Sequence, residues 1–159
     1  MSRNKLCMCK GLLGLYQAGT EFFAGRETAW ESAALKPYFS GMSREDFFLE
    51  YDFLFRGTDA DVDMRMWASA CCGHGNILWD ATTLEVIETY YRWGYRPVKF
   101  EGNPPDYLGE MLRFSAYLIS VCLHELETDG GEENALGVLR ARREFLRAHG
   151  LPTARAVAE

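Results

Sequence analysis

The cysteine and histidine side chains of this sequence could bind a metal ion. Thiolate and imidazole are ligands that Zn²⁺ prefers, and a structural zinc site needs four of them. The spacings here match no known zinc module, and reduced cysteines are among the residues most often buried in protein cores. A metal-binding or redox-sensing helical protein is therefore an alternative hypothesis, which would use Cys7, Cys9, Cys71, Cys72 and His74.

Acid–base catalysis is the second chemistry that the residue types allow. Asp106, Tyr107 and Glu110 stand close together in the sequence, but no convergent set of partners accompanies them. The sequence also lacks a phosphate-binding glycine loop, a Gly-x-Ser-x-Gly elbow and a His-Glu-x-x-His motif. We therefore predict that the chain is not an enzyme and uses no cofactor.

The element that must position these residues is a helix predicted from about 106 to 127. Pro104 and Pro105 suit a helix entrance, where Asp106 can accept hydrogen bonds from the first free N–H groups. Apolar and small residues then recur at helical spacing, and no charged residue occurs from Phe114 to Leu123. This uncharged run is too short to span a bilayer, so it indicates the central helix of a bundle.

Further helices are predicted over 11–24, 27–39, 44–55, 82–93 and 132–149. Ser43 is the predicted cap of the third of these, and Thr82 with Glu85 matches a capping box. The segment 58–80 is the least regular part of the chain, and its Trp67 favours a functional loop over simple disorder. Because no sustained period-two alternation occurs, we predict an all-α fold with residues 1–159 as one helical domain.

Charge and composition narrow the choice of partners. The net charge of −6 argues against nucleic acid or an anionic membrane as the main partner and favours a basic peptide. The N-terminus has no apolar run followed by a small-residue cleavage site, so we expect a cytoplasmic protein with reduced thiols and no stable membrane insertion.

The order of these elements resembles the TorD/DmsD/NarJ family of cytoplasmic chaperones for molybdoenzymes, over roughly residues 10 to 152. The aromatic helix ends in Leu54-Phe55-Arg56-Gly57, a loop with Trp67 follows, and Pro105-Asp106-Tyr107 opens the core helix. Two details differ from the family: Tyr107 replaces its histidine, and the prolines usual before the loop tryptophan are absent. The chain ends soon after Pro152, so we expect a shortened member that lacks the C-terminal helices of longer relatives.

The resemblance implies binding of a twin-arginine signal peptide, of the apo form of a molybdopterin-containing oxidoreductase subunit of anaerobic respiration, or of both. Such a chaperone acts before cofactor insertion and export. Two other roles stay open from the residues alone, since Leu54 and Phe55 also suit a core and Asp106 a helix cap. With tyrosine in place of histidine, we assign no nucleotide binding. The peptide-binding residues that the resemblance implies are Leu54, Phe55, Trp67, Asp106 and Tyr107.

A shortened bundle has a consequence for assembly. If part of the core helix lacks a covering helix, the exposed apolar surface favours association between chains. We therefore expect a homodimer, either by direct contact or by exchange of elements between chains.

Overall fold

The chain folds into α-helices joined by turns, in a computed structural model that describes residues 3–56, 66–72, 77–97 and 104–158. A 3₁₀ turn at Lys36–Phe39 follows the second helix, and a π-helical turn at Leu146–Gly150 precedes the last. Within those ranges no β-strand forms, so the predicted all-α fold is confirmed. The helices are α1 (Arg3–Phe23), α2 (Arg26–Glu31), α3 (Arg44–Arg56), α4 (Ala68–Cys72), α5 (Ala81–Arg92), α6 (Leu108–Glu127), α7 (Glu132–Phe145) and α8 (Leu151–Ala158).

Helix α6 is the centre of the main core, as the sequence predicts. Met111, Phe114, Leu118, Ile119 and Cys122 are completely buried along it. Its most extensive contacts are with α1 and α7. Full burial of each large apolar side chain contributes about 1.5–3 kcal/mol relative to exposure, so this core fixes the position of α6.

A second, smaller core joins the C-terminal end of α1 to α2 and α3. Ala29, Phe47 and Tyr51 are its buried members, and Phe22 packs against them. The chain turns sharply between α1 and α2 at Gly25, whose φ of 128° is a conformation that side chains rarely adopt. This core holds the end of α1 beside the aromatic helix α3.

Two predicted helices end earlier than expected, the first of them before Ser32, whose backbone is extended with a ψ of 117°. The helix expected over 27–39 stops at Glu31, and Pro37 lies near the start of the 3₁₀ turn instead. The helix expected to reach His149 ends at Phe145. In a continuous α-helix, Pro152 would lack an N–H donor and would clash with the carbonyl four residues earlier. The chain therefore forms a π-helical turn before α8 begins.

Helix caps follow the sequence in one case and differ in another. Ser43 caps α3 as predicted, because its Oγ accepts the Asp46 N–H at 3.0 Å and donates to the Asp46 carboxylate at 2.7 Å. The predicted Thr82 cap is wrong. Asp80 is the N-cap of α5, and its carboxylate accepts the backbone N–H groups of Thr82 and Thr83. Aspartate and threonine are both favoured N-cap residues, so an aspartate two residues earlier can take the cap position from the threonine.

Candidate functional site

Four aromatic side chains form a continuous cluster that we call the aromatic site: Phe23, Phe55, Trp67 and Tyr107. The ring centroids of Trp67 and Tyr107 are 5.3 Å apart, those of Tyr107 and Phe23 are 6.3 Å apart, and those of Phe23 and Phe55 are 5.6 Å apart. All four side chains are half-buried. The structure thus brings together three of the predicted binding residues, which come from α3, the segment before α4 and the start of α6.

Backbone pairing fixes the position of Trp67. The Leu108 N–H donates to the Met66 carbonyl at 2.8 Å, and the Ala68 N–H donates to the Asp106 carbonyl at 3.1 Å. Trp67 and Tyr107 therefore form an isolated antiparallel bridge. The Tyr107 hydroxyl in turn donates to the Phe23 carbonyl at 3.1 Å, which ties the start of α6 to the end of α1.

Asp106 is completely buried, and this corrects its predicted position. Its carboxylate accepts the Ser69 N–H at 2.6 Å, at the start of α4. The expected cap on its own helix is absent, since Tyr107 is the N-cap of α6 and makes no side-chain capping bond. Asp106 therefore holds α4 against the start of α6. A carboxylate in that place is not exposed to the arginines of a peptide.

The remaining predicted residue is only partly described. Leu54 lies within α3, but its side chain falls outside the described part of the structure. The irregular segment predicted over 58–80 is described at 66–72 and 77–80, where it contains the short helix α4.

The indole nitrogen of Trp67, Nε1, is buried and has no hydrogen-bond acceptor within the described ranges.

A buried polar network on α6 is not evident from the sequence. The Tyr95 hydroxyl donates to the Glu110 carboxylate, and Arg113 donates to the same carboxylate at 2.9 Å. Burial, followed by the hydrogen bond to Glu110, raises the pKa of Tyr95 far above its ordinary value. Glu110 is completely buried, so its carboxylate holds Tyr95 and Arg113 together inside the fold.

The cysteines with described side chains do not converge in the way the metal-binding alternative requires. Cys7 and Cys9 lie on opposite sides of α1, so Cys7 is exposed while Cys9 is buried beside Cys122 of α6. Burial, with a smaller effect of Cys9, raises the pKa of Cys122 to about 11, so this thiol is protonated near neutral pH. Among the residues with described positions, no group of three or more potential ligands assembles. The Cys72 side chain and His74 lie outside them.

The fold is all-helical, and its described part contains a half-buried aromatic site. The family model named nitrate reductase delta subunit matches residues 24–158. The chain belongs to this family, which is the family of NarJ/TorD-like chaperones. Its members are maturation factors for molybdoenzymes and act with the catalytic subunit of nitrate reductase.

The comparison with curated proteins gives no match, and neither does the comparison with solved structures. In the described segments, each helix is too short or too polar to cross a bilayer.

Proposed function

We propose that this protein is a cytoplasmic maturation chaperone for the catalytic subunit of a molybdopterin-containing oxidoreductase. The chaperone binds the twin-arginine signal peptide of that subunit, the apo form of the subunit, or both. It releases the subunit for export after the cofactor has been inserted. Membership of the delta-subunit family supports the maturation role. The chain works by binding and not by catalysis, and it acts as a single domain.

The half-buried aromatic site is the observation that carries the binding proposal. An apolar segment of a peptide gains free energy by covering aromatic surface, at about 25 cal/mol for each Å² removed from water. The rings of Trp67 and Tyr107 pack against each other, and the Tyr107 hydroxyl is bonded to the Phe23 carbonyl, so little side-chain freedom is lost when a peptide binds. The aromatic site therefore suits the apolar part of a leader peptide, with Leu54 and Phe55 contributing from α3.

Asp106 contributes to this function by positioning and not by contact. Its bond to the Ser69 N–H keeps the residues around Trp67 in place. The loss of Asp106 would therefore weaken peptide binding through a displaced Trp67. Asp106→Asn, which keeps an acceptor oxygen, would restore binding.

Calorimetry with the leader peptide of the client subunit tests the proposal. Trp67→Ala removes the tryptophan ring from one end of the aromatic site, and we expect the affinity to fall by about tenfold or more, as for a typical aromatic binding residue. Trp79→Ala is the matched control, because Trp79 is 56% exposed and does not belong to the aromatic site. Equal affinities for Trp67→Ala and the unchanged protein would remove the site assignment. No binding of either the leader or the apo subunit would remove the function.

A further inference from the structure

Helix α1 carries an apolar stripe on its outer side. The members of the stripe alternate at intervals of three and four residues: Met8, Gly11, Leu15, Ala18 and Phe22. Met8 and Leu15 are both 65% exposed, whereas Leu12 and Tyr16 on the inner side of the helix pack against the main core. A stripe with this spacing is typical of a helix that packs lengthwise against another helix.

A groove follows the second half of this stripe. It has a volume of about 580 Å³, and its lining includes Ala18 and Phe22 of α1 with Leu35 and Phe39 at the 3₁₀ turn. A Cβ atom added at Gly14, which also lines the groove, would meet no atom within 4 Å, so the space above the helix is open there. The second half of the stripe is therefore recessed, while the first half protrudes.

The two halves are complementary when two copies of α1 lie antiparallel. Leu15 is seven residues from Met8 and seven from Phe22. A two-fold axis at Leu15 would therefore bring Met8 of each copy to the groove beside Phe22 of the other. The paired length is about 21 Å, or roughly four helical turns. Such a contact uses the same surface of both copies and closes as a dimer.

The charge along α1 favours the same antiparallel arrangement. The first twenty residues contain three basic residues and no acidic one, whereas Glu21 and Glu31 lie at the other end of the helix. The Ser32 hydroxyl that donates to Glu21 is neutral, so this carboxylate keeps its charge, and nearby Arg26 is paired with Asp52. Antiparallel packing places the basic half of each copy beside the acidic end of the other, while parallel packing would place like charges together.

We propose that the outer side of α1 is the contact surface of a homodimer in which the two α1 helices pack antiparallel about Leu15. This places the homodimer expected from the sequence on α1 and not on the core helix α6. Helix α1 precedes residues 24–158, which the family model matches, so that match gives its outer side no role. The inference does not depend on peptide binding at the aromatic site. Because the contact is limited to α1 and the 3₁₀ turn of each copy, the dissociation constant should be on the order of 1–100 μM.

Sedimentation velocity of the full chain, over loading concentrations of about 1 to 200 μM, tests the surface. Leu15→Arg places one positive charge from each copy at the two-fold axis, so we expect the dissociation constant of the dimer to rise by about tenfold or more. Leu49→Arg is the matched control, because Leu49 is 71% exposed on α3 and lies outside the stripe. This control should leave the constant unchanged. Both variants should fold, because both leucines are exposed and arginine is a good helix former.

Disulfide cross-linking tests the orientation. In a Cys7→Ser background, Leu15→Cys places the thiols of the two copies beside the two-fold axis, and oxidised glutathione should join them into a covalent dimer. Glu50→Cys in the same background, at an exposed position on α3, controls for cross-linking by random collision. Cys7 of the unchanged protein is exposed but lies eight residues from the axis. The two Cys7 residues would be about 24 Å apart and should stay unlinked.

Three outcomes would overturn the proposal. In the first, the unchanged protein sediments as a monomer at every concentration. In the second, Leu15→Arg and Leu49→Arg dimerise equally well, so the contact lies elsewhere. In the third, Leu15→Cys forms no more covalent dimer than Glu50→Cys, or the unchanged protein cross-links through Cys7, as a parallel pair would. Each of these outcomes leaves the proposed function intact, because the peptide affinity of Trp67→Ala is a separate measurement.

Discussion

Two regions of the molecule are rich in aromatic rings but differ in exposure. One is the core around α6, and the other is the aromatic site together with the adjoining Phe22. In the core, Phe114 and Tyr90 are completely buried, and Tyr90 donates a hydrogen bond to the Pro105 carbonyl at 3.0 Å. In the aromatic site and at Phe22, every ring is half-buried. The comparison shows that aromatic content by itself does not indicate a binding site. The closed region supplies stability, and the half-open region retains apolar surface that a partner can cover.

The largest expected effect tests the closed region. Phe114→Ala removes a completely buried ring from α6 and leaves a cavity, so the free energy of unfolding should fall by about 3–5 kcal/mol. Phe53→Ala is the control. Phe53 is 72% exposed, and its loss should change the free energy by about 0.5 kcal/mol or less. Urea unfolding followed by circular dichroism measures both, and similar losses for the two variants would contradict the contrast between regions.

The next effect concerns the link between the two regions at Asp106. Asp106→Ala leaves the buried Ser69 N–H without its acceptor, so unfolding should cost about 1–3 kcal/mol less. Asp106→Asn retains an acceptor oxygen and should recover most of that loss. The same unfolding measurement applies. If Asn is as damaging as Ala, the negative charge matters and the acceptor alone does not suffice.

A smaller effect is expected within the half-open region. Tyr107→Phe removes the hydrogen bond to the Phe23 carbonyl but keeps the ring beside Trp67, so it should lower stability by about 0.5–1.5 kcal/mol. Leader affinity should stay within about twofold, because the apolar ring surface is unchanged. Tyr38→Phe, at a residue that is 80% exposed, controls for stability. A large loss of leader affinity in Tyr107→Phe would show that the hydroxyl itself contacts the peptide.

The smallest effect is a pH dependence from His149, which is buried beside Phe145. Burial lowers the pKa of His149 from its ordinary 6.5, although Glu85 and Asp106 act in the opposite direction. The unfolded chain then binds this proton more readily, so stability is lost as the pH falls below 6.5 towards the folded-state pKa. Thermal unfolding should therefore depend less on pH in His149→Gln. His124→Gln, at an exposed histidine, should keep the original dependence.

Sequence reasoning was most successful where the cause is local. The burial of Phe114 and Ile119 follows from the apolar spacing along one helix, and the Ser43 cap depends on residues three positions apart. It was less successful where several residues compete for one role, as at Asp80 and Thr82. The metal-binding alternative failed for the described cysteines because Cys7 and Cys9 point to opposite sides of α1, a consequence of helical geometry.

For the predicted binding residues too, the sequence shows the residue types, while the structure decides their positions. The aromatic types at Phe55, Trp67 and Tyr107 are visible in the sequence, and their proximity is a property of the structure. The burial of Asp106 was not predictable, because its partner Ser69 lies 37 positions earlier in the chain. Their role in peptide binding, and the expected dimer, stay predictions for the experiments above.

The sequence by itself determined that this protein is built of helices around α6, because hydrophobic periodicity, caps, glycine and proline act over a few residues. It also carried the order of elements that is typical of the delta-subunit family. Only the tertiary structure decided that Trp67 pairs with Tyr107, that Asp106 is enclosed, and that an apolar groove lies along α1. The physical reason is that these features depend on packing between segments far apart in the chain, which local sequence patterns do not specify.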